Sequence, residues 1–232
     1  MIKNKKILIT GGSSGLGKSL ASKLSKNKNK VYCLGRSSIN NPNIRSVKCN
    51  FKNIKNIKIK LKKLIDIKKL DYVFLNAGIL GEIKNINKIR YEDLNEIYKI
   101  NVFANKEILD FFIENKITTK LIIAISSGAA LSPKMGWFLY CSSKAAFKFL
   151  IESYALEDKK RKFINISPGL IKTKMQAQIC KIDEKKIPSV KKFKKLNKNN
   201  KVPSPDEVAE NILFTIQNRK KSSGSYLDIR KK

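Results

Sequence analysis

Residues 5–17 read KKILITGGSSGLG, an apolar run followed directly by a glycine-rich turn. The run predicts a buried first strand over 5–10, and the residues after the turn predict a helix that reaches about Ser25. The first turn of a helix presents unpaired N–H groups and the positive end of the helix dipole, which together suit a pyrophosphate. Glycines are needed there because a Cβ atom would block the approach of the ligand. The stretch therefore predicts a nucleotide-binding strand–turn–helix unit, although its glycine spacing differs from G-x-G-x-x-G.

Apolar runs and amphipathic segments alternate along the rest of the chain, which is the pattern of βαβ units on a parallel sheet. Further strands are predicted at 30–35, 44–49, 70–78, 120–127, 162–169 and 225–229. Helices are predicted at 52–65, at about 91–115, around Tyr140 and at 205–218. A chain of 232 residues can bury one sizeable core. We predict a single domain over 1–232, an α/β fold with a doubly wound parallel sheet in three layers.

Residues 181–201, which include VKKFKKLNKNNK, look the least ordered part of the sequence. Two interpretations stay open for them, a flexible flap over a substrate site or a surface loop without a role. We find no internal repeat and no second domain, so a flap would belong to the same domain.

The chain carries a formal net charge of +32, from 50 basic and 18 acidic residues. Such a charge attracts polyanions. However, only six of the 50 basic residues are arginine, whose forked guanidinium suits bases and phosphates. The lysines are spread along the whole chain together with many Asn and Ile, residues with A/T-rich codons. Genomic base composition therefore suffices to explain the charge. We predict no specific nucleic-acid partner and keep nonspecific polyanion binding as the alternative.

The four cysteines (Cys33, Cys49, Cys141 and Cys180) form no CxxC pair, and the chain has no histidine. These features predict neither a metal site nor a disulfide framework. No apolar run approaches the ~20 residues of a membrane span, and the N-terminal apolar run is too brief for a signal peptide. We therefore expect a protein of the reducing cytoplasm without a membrane partner.

The stretch WFLYCSSKAAFK (137–148) places Tyr140 and Lys144 at positions i and i+4 of helix-forming sequence, so their side chains share one face. The pKa of a phenol side chain is normally ~10. A neighbouring cation lowers that pKa because it stabilises the phenolate. The pair therefore predicts a general acid built without histidine. The alternative is an amphipathic helix with a buried tyrosine and a solvated lysine.

The end of the second predicted strand bears on the choice of dinucleotide. Enzymes of this architecture that prefer NAD carry Asp or Glu about 20 residues after the glycine turn, where it holds the ribose 2′-hydroxyl. Here the first acidic residue of the chain is Asp66, and the strand ends in Gly35-Arg36-Ser37. An arginine fork and a serine hydroxyl suit a 2′-phosphate. We predict NADP(H) as the cofactor, the alternative being that Arg36 is one more surface cation.

Six elements in sequence order resemble the short-chain dehydrogenase/reductase family along nearly the whole chain. They are TGGSSGLG (10–17), Asn76-Ala77-Gly78, Asn101 in YKINVFAN, Ser127, YCSSK (140–144) and Pro168-Gly169 with Thr173. The resemblance implies a Rossmann-type fold and the catalytic residues Ser127, Tyr140, Lys144 and Asn101. It implies cofactor contacts from Gly11, Ser13, Ser14, Gly15, Leu16, Gly17, Arg36, Ser37, Asn50, Phe51, Asn76, Ala77, Gly78, Tyr140, Lys144, Pro168, Gly169, Ile171 and Thr173.

The family pattern also implies a role for each catalytic residue in the transfer of a hydride between NADPH and a carbonyl. Tyr140 is the proton donor, and Lys144 lowers the pKa of Tyr140 and holds the nicotinamide ribose. Ser127 bonds the substrate oxygen, and Asn101 holds a water that links Lys144 to solvent. The chain departs from the pattern at Asn50, where the family often has Asp, and at Ser14, where many NADP-dependent members carry a basic residue.

The C-terminal third resembles the sepiapterin reductase group, including its bacterial benzil reductase relatives. The resemblance rests on PGLIKTKMQAQI (168–179), SPDEVAENI (204–212) and SGSYLDI (223–229). It implies that Asp228 anchors the substrate, with a solvent-facing side chain as the alternative. Trp137, Phe138 and Met175 are candidates for an apolar substrate pocket, with ordinary core as the alternative that we favour for at least one of the three.

The predicted function is therefore NADPH-dependent reduction of a diketone-like or pterin-like carbonyl by a homodimer or homotetramer. Two alternatives stay open, a non-catalytic NADP-binding scaffold or redox sensor, and a reductase of 3-oxoacyl thioesters or quinones.

Overall fold

A computed structural model describes residues 2–231, which form one seven-stranded sheet covered by helices on both faces. The strands are β1 (Lys6–Thr10), β2 (Lys30–Gly35), β3 (Ile44–Lys48), β4 (Lys69–Leu75), β5 (Thr118–Ile125), β6 (Phe163–Ser167) and β7 (Ser225–Asp228). Their order is β3-β2-β1-β4-β5-β6-β7, and all neighbouring pairs are parallel. The predicted doubly wound parallel sheet is confirmed.

The helices are α1 (Gly15–Leu24), α2 (Lys55–Leu64), α3 (Tyr91–Tyr98), α4 (Ala104–Glu114), α5 (Phe138–Glu157), α6 (Lys174–Cys180), α7 (Lys191–Lys198) and α8 (Pro205–Asn218). On one face of the sheet, α2, α4 and α5 enclose a core that contains Ile57, Ile108 and Phe147. On the other face, α1 and α8 enclose a second core around Leu20 and Ile212. Strands buried on both faces require continuous apolar runs, which explains why β1 reads ILI at its centre.

The sheet order places a crevice at the carboxyl ends of β1 and β4. The chain runs outward through β2 and β3 on one side of β1, and through β4 to β7 on the other. The crossover connections therefore leave in opposite directions between β1 and β4. Ligands of open α/β sheets bind at such a switch point.

The structure differs from the sequence prediction in a few elements. The predicted continuous helix over 91–115 is interrupted at Lys99–Phe103 by a π-helical turn, which adds one residue to the normal helical repeat. The predicted strand 70–78 ends at Leu75, because Asn76 and Ala77 turn away to bond with β1. Helix α6 was not predicted. The stretch 181–201 contains α7 and a short 3-10 turn, with Ile187 and Val190 buried, so part of it is ordered structure.

Within residues 2–231, no helix combines the length and the apolar character that crossing a membrane requires.

Candidate active site

The glycine-rich turn lies at the carboxyl end of β1 and leads directly into α1. Gly11 and Gly15 have φ values of +69° and +51°, where a residue with a side chain would be strained. The Ser14 side chain does not cap α1, and the first helical turn contains no acidic residue. The N-terminal N–H groups of α1 are thus left for an anionic ligand.

A hydrogen-bonded bridge fixes the turn to the end of β4. The Thr10 hydroxyl accepts bonds from the backbone N–H groups of Asn76 at 2.9 Å and of Ala77 at 3.0 Å. The Asn76 side-chain amide donates to the Thr10 carbonyl at 2.9 Å. Thr10 was missed as a site residue, although its position as the last residue of the first strand, beside the glycines, marks it as the place for such a bridge.

The far end of the crevice is formed by the residues after β2 and β3. Arg36 and Ser37 are exposed directly after β2, as a contact with a ribose phosphate requires. Asn50 is exposed, and its side-chain oxygen accepts a bond from the Lys52 N–H at 3.1 Å. The Phe51 ring is buried in the core on the α5 side, so this residue offers a ligand its backbone and not its ring.

Tyr140 and Lys144 lie on one face of α5, as predicted, with Lys144 Nζ 5.9 Å from the centre of the Tyr140 ring. Lys144 is only 5% exposed, and its Nζ donates to the Ile125 carbonyl oxygen at 2.8 Å. Burial lowers the pKa of Lys144 to about 8, because the charged ammonium is poorly solvated there. The alternative of a solvated lysine is therefore wrong.

The pKa of Tyr140 moves in the direction opposite to the predicted one. Burial raises it to about 12, and the neighbouring Ser127 hydroxyl acts in the lowering direction but is the smaller effect. Desolvation thus outweighs the neighbouring hydroxyl. Ser127 is the second residue after β5, and its Oγ accepts a bond from the Ala129 N–H at 3.1 Å, which fixes its rotamer.

Asn101 lies in the π-helical turn and is 1% exposed. Its amide nitrogen donates to the Ile79 carbonyl at 2.9 Å and to the Ser143 hydroxyl at 3.0 Å. Its oxygen accepts from the Ile79 N–H at 2.8 Å. The side chain therefore ties the segment after β4 to α5 beside Lys144. Ser143 was missed, although it lies inside the YCSSK motif and its place on α5 next to Lys144 indicates such a partner.

The loop after β6 closes the crevice opposite the glycine-rich turn. A Cβ atom on Gly15 would lie 3.2 Å from Thr173 Cγ2, so the two loops are in contact. The Thr173 hydroxyl accepts a bond from the Gln176 N–H at 3.5 Å and caps α6. Pro168 is buried, and Gly169 and Ile171 are half-buried along the loop. The structure thus brings the predicted elements 10–17, 76–78, 127–144 and 168–173 to one edge of the sheet.

The candidate substrate residues have different environments. Trp137 is 3% exposed, stacks on Phe193 with ring centres 5.0 Å apart and donates to the Ser189 hydroxyl at 3.0 Å. It therefore belongs to a small apolar cluster that joins 181–201 to the start of α5, with Met175 at the edge of that cluster. Phe138 is exposed and lies outside this cluster. The Asp228 carboxylate lies at the carboxyl end of β7, where it binds the guanidinium of Arg230.

The residues at this edge fit a dinucleotide. The turn leaves no room for side chains at its glycines, the N-terminus of α1 is uncapped, and an exposed arginine follows the neighbouring strand. These three features match the pyrophosphate and the ribose phosphate of one extended ligand.

Comparisons with known proteins agree with this geometry. The family model described as short chain dehydrogenase matches residues 5–183. Benzil reductase ((S)-benzoin forming) of Bacillus subtilis is 27% identical over 224 residues, with 90% of this chain and 92% of that protein covered. Sepiapterin reductase of Bos taurus is 28% identical over 166 residues, with 66% of this chain and 59% of that protein covered. The solved structure of ElxO with NADP bound has a TM-score of 0.77 and 25% identity, with 97% of each chain covered.

The resemblance to the sepiapterin reductase and benzil reductase group is confirmed by these relatives. The match to the family model extends over well more than half of the chain and includes the glycine-rich turn, Ser127, Tyr140 and Lys144. This chain belongs to the short chain dehydrogenase family of oxidoreductases.

Proposed function

We propose that the protein is an NADPH-dependent carbonyl reductase. The observation that carries the proposal is the convergence of Ser127, Tyr140 and Lys144 beside a glycine turn that is shaped for a dinucleotide. A binding scaffold does not need these three side chains together. An enzyme that protonates a developing alkoxide does, because charge forms on the carbonyl oxygen during reduction.

Each side chain of the site has a separate task in this proposal. The chemistry that NADPH supplies when bound is hydride donation. Tyr140 Oη donates the proton to the carbonyl oxygen, and Ser127 Oγ donates a hydrogen bond to the same oxygen. The ammonium of Lys144 stabilises the phenolate that Tyr140 becomes and offers donors to the nicotinamide ribose. Asn101 and Ser143 hold Lys144 and the segment after β4 in place, and a water held at Asn101 for reprotonation stays a prediction.

The preference for NADPH is proposed from the residues after β2. Arg36 and Ser37 are exposed there without a carboxylate nearby in sequence, so a 2′-phosphate meets donors and no repulsion. ElxO, solved with NADP bound, supports the same cofactor. The glycine-rich turn, the Asn76-Ala77-Gly78 segment and the loop 168–173 would hold the remainder of the molecule.

The substrate is proposed to be a diketone or a compound with a pterin-like side chain. The support comes from relatives named benzil reductase and sepiapterin reductase. The apolar cluster around Trp137 and Met175 lies beside Tyr140, with the Trp137 and Tyr140 ring centres 6.3 Å apart. Segment 181–201 packs on this cluster through Val190 and Phe193, and we propose that it acts as the flap over the substrate.

A panel of carbonyl compounds assayed with NADPH and NADH tests the function and the cofactor preference together. We expect diketones or pterins, ahead of quinones and β-ketoacyl thioesters, to oxidise NADPH.

Arg36→Asp should lower kcat/KM for NADPH by about 10- to 150-fold, since a charge-assisted bond contributes about 1.5–3 kcal/mol, and should leave kcat/KM for NADH unchanged. The control is Arg219→Asp, the same charge change at the end of α8. If no carbonyl oxidises NADPH, the function is wrong. If Arg36→Asp leaves the NADPH/NADH ratio unchanged, Arg36 is only a surface cation.

The pKa of Lys144 predicts how the reaction depends on pH. Tyr140, with a pKa of about 12, keeps its proton across the neutral range, whereas Lys144 loses its charge above about pH 8. Without that charge the phenolate is less stable and Tyr140 is a weaker acid. We expect kcat/KM for reduction to be constant below about pH 7.5 and to fall by up to about tenfold per pH unit above pH 8. Cofactor affinity measured over the same range is the control. A profile that stays flat to about pH 10 would contradict the role of Lys144.

We also propose that the protein forms a homodimer or homotetramer in the cytoplasm. Phe149 and Leu156 lie seven residues apart on one side of α5, and both are exposed, as is Ile113 on α4. Exposed large apolar side chains on one side of a helix are typical of a surface covered by a partner. The four cysteines are all free, which fits a reducing compartment.

A further inference from the structure

Arg230 lies at the substrate side of the site, a position that sequence analysis did not single out. Its aliphatic stem covers the loop after β6, since a Cβ atom on Gly169 would lie 2.7 Å from Arg230 Cδ. A Cβ atom on Gly128 would lie 3.9 Å from Arg230 Nη2. Gly128 directly follows Ser127. The guanidinium therefore lies between the loop 168–173 and the residue next to the predicted oxygen-binding serine.

Asp228 fixes the orientation of this guanidinium. Arg230 Nε donates to Asp228 Oδ1 at 2.9 Å, and Nη2 donates to Oδ2 at 2.5 Å. The backbone N–H of Arg230 donates to Oδ1 at 3.0 Å. The Asp228 side chain is 12% exposed, while that of Arg230 is 59% exposed. Both oxygens of the carboxylate are thus engaged by Arg230, and the arginine is the member of the pair that faces the solvent side of the cleft.

The ion pair between Arg230 and Asp228 leaves some N–H donors of the guanidinium without a partner. A guanidinium has five N–H donors. Two of them bind Asp228, and among residues 2–231 the structure gives the Arg230 side chain no other hydrogen-bond partner. The free donors lie on the side of the fork away from Asp228, in the planar arrangement that matches a carboxylate.

The charge around the cleft also favours an anion. Lys172 is exposed in the loop that Arg230 covers, and Lys174 is exposed at the start of α6. The net charge of +32 raises the concentration of small anions near the whole surface. These charges offset the negative charge of Asp228, which by itself would weaken the attraction of Arg230 for an anion.

We infer that Arg230 binds a carboxylate of the substrate, so that the site accepts carbonyl compounds with a carboxylate next to the reacting carbonyl, that is, 2-oxo acids. Asp228 is then a positioning residue that holds Arg230, instead of an anchor that touches the substrate. The inference rests on the proposed reductase function, because it assigns the substrate class of that same site.

The test compares two ketones of nearly the same shape, phenylglyoxylate and 1-phenyl-1,2-propanedione, in which a carboxylate and an acetyl group occupy the same position. With NADPH, Arg230→Leu should lower kcat/KM for phenylglyoxylate by about tenfold or more and for the neutral diketone by less than about threefold. Arg230→Lys keeps the positive charge but lacks the planar guanidinium, so the loss in kcat/KM for phenylglyoxylate should be intermediate. Arg230→Lys also serves as the second variant if the leucine variant does not fold.

Arg45→Leu is the matched control, because Arg45 forms an equivalent exposed pair with Asp66 near the start of β3. It should leave both ketones unaffected. Equal losses for the two ketones in Arg230→Leu, or no loss for phenylglyoxylate, would overturn the inference while the reductase function stands.

A binding measurement separates the inference from the proposed function. Mandelate, the alcohol expected from phenylglyoxylate, is titrated into the NADP⁺ complex by calorimetry, and no turnover is needed. We expect about tenfold weaker binding in Arg230→Leu than in wild type. If no carbonyl compound of the panel oxidises NADPH but wild type shows this difference, the reductase function is wrong and the carboxylate site is supported. Equal binding in the two proteins, or no binding in wild type, overturns the carboxylate site.

Discussion

Tyr140→Phe is expected to lower kcat for carbonyl reduction by about 10²- to 10⁴-fold, the range that a positioned general acid contributes. The substitution removes only the hydroxyl. The ring keeps its edge-on contact with Trp137, at 6.3 Å between ring centres, and its place on α5. The fold and the glycine-rich turn are therefore unchanged, and the affinity for NADPH should change by less than about threefold. The loss arises because the hydroxyl that neighbours Ser127 is removed.

Tyr154→Phe is the control for this prediction. Tyr154 lies on the same helix, where its hydroxyl bonds the Asp110 carboxylate. Its Cα is about 21 Å along the helix axis from that of Tyr140, at 1.5 Å per residue. Removal of this second hydroxyl should reduce stability by about 1.5–3 kcal/mol, because its partner is a carboxylate, and leave kcat unchanged. A Tyr140→Phe enzyme that keeps a tenth or more of the wild-type rate would remove Tyr140 from the role of proton donor.

The order of strands and helices could be predicted because each feature depends on local pattern. Strands buried on both faces, such as β1 and β4, need continuous apolar runs, and the crossover helix α2 needs apolar residues on one side. The pairing of Tyr140 with Lys144 follows from the helical repeat alone. Parallel strands with helical crossovers then bring the loop ends to one edge of the sheet.

The parts that could not be predicted depend on contacts between distant segments. The π-helical turn at Lys99–Phe103 places Asn101 against Ile79 and Ser143, and no propensity of the residues KINVF indicates it. The bond from Asn76 to Thr10 joins the segment after β4 to the end of β1. The position of Arg230 on Gly169 depends on the packing of β7 against β6.

The pKa values of Tyr140 and Lys144 also depend on tertiary structure, which the local sequence pattern does not give. From the sequence alone, the neighbouring cation is expected to dominate the pKa of Tyr140. Burial dominates instead, and burial is a property of the packed fold. The pair is therefore a lysine whose charge is easily lost and a tyrosine that firmly keeps its proton.

Gly17→Ala is expected to destabilise the protein although it replaces glycine within a helix. Helix propensity alone predicts a gain of about 0.5–1 kcal/mol, because glycine is the more flexible residue in the unfolded chain. Packing changes the free energy of unfolding in the opposite direction. A Cβ atom at residue 17 would lie 2.2 Å from the Gly11 carbonyl oxygen and 2.6 Å from Asn76 Nδ2, both far inside contact distance. Neither atom can move freely, since Asn76 Nδ2 is bonded to Thr10 O at 2.9 Å and Gly11 N to Leu34 O at 2.7 Å.

Relief of this overlap requires α1 to move away from the turn, at a cost of about 1–3 kcal/mol or more, so the steric effect exceeds the gain in propensity. The net loss should lower the thermal midpoint by roughly 2–4 °C per kcal/mol for a chain of this length. It should also weaken NADPH binding, because the displaced N–H groups are those that we propose to bind the pyrophosphate. Gly35→Ala is the matched control beside the same turn, since its Cβ would meet nothing closer than 3.4 Å, at Ser13 Oγ. We expect Gly35→Ala to stay within about 1 kcal/mol of wild type. If Gly17→Ala melts at or above the wild-type temperature and binds NADPH as tightly, the close approach of α1 to the turn is not what holds the phosphate site in shape.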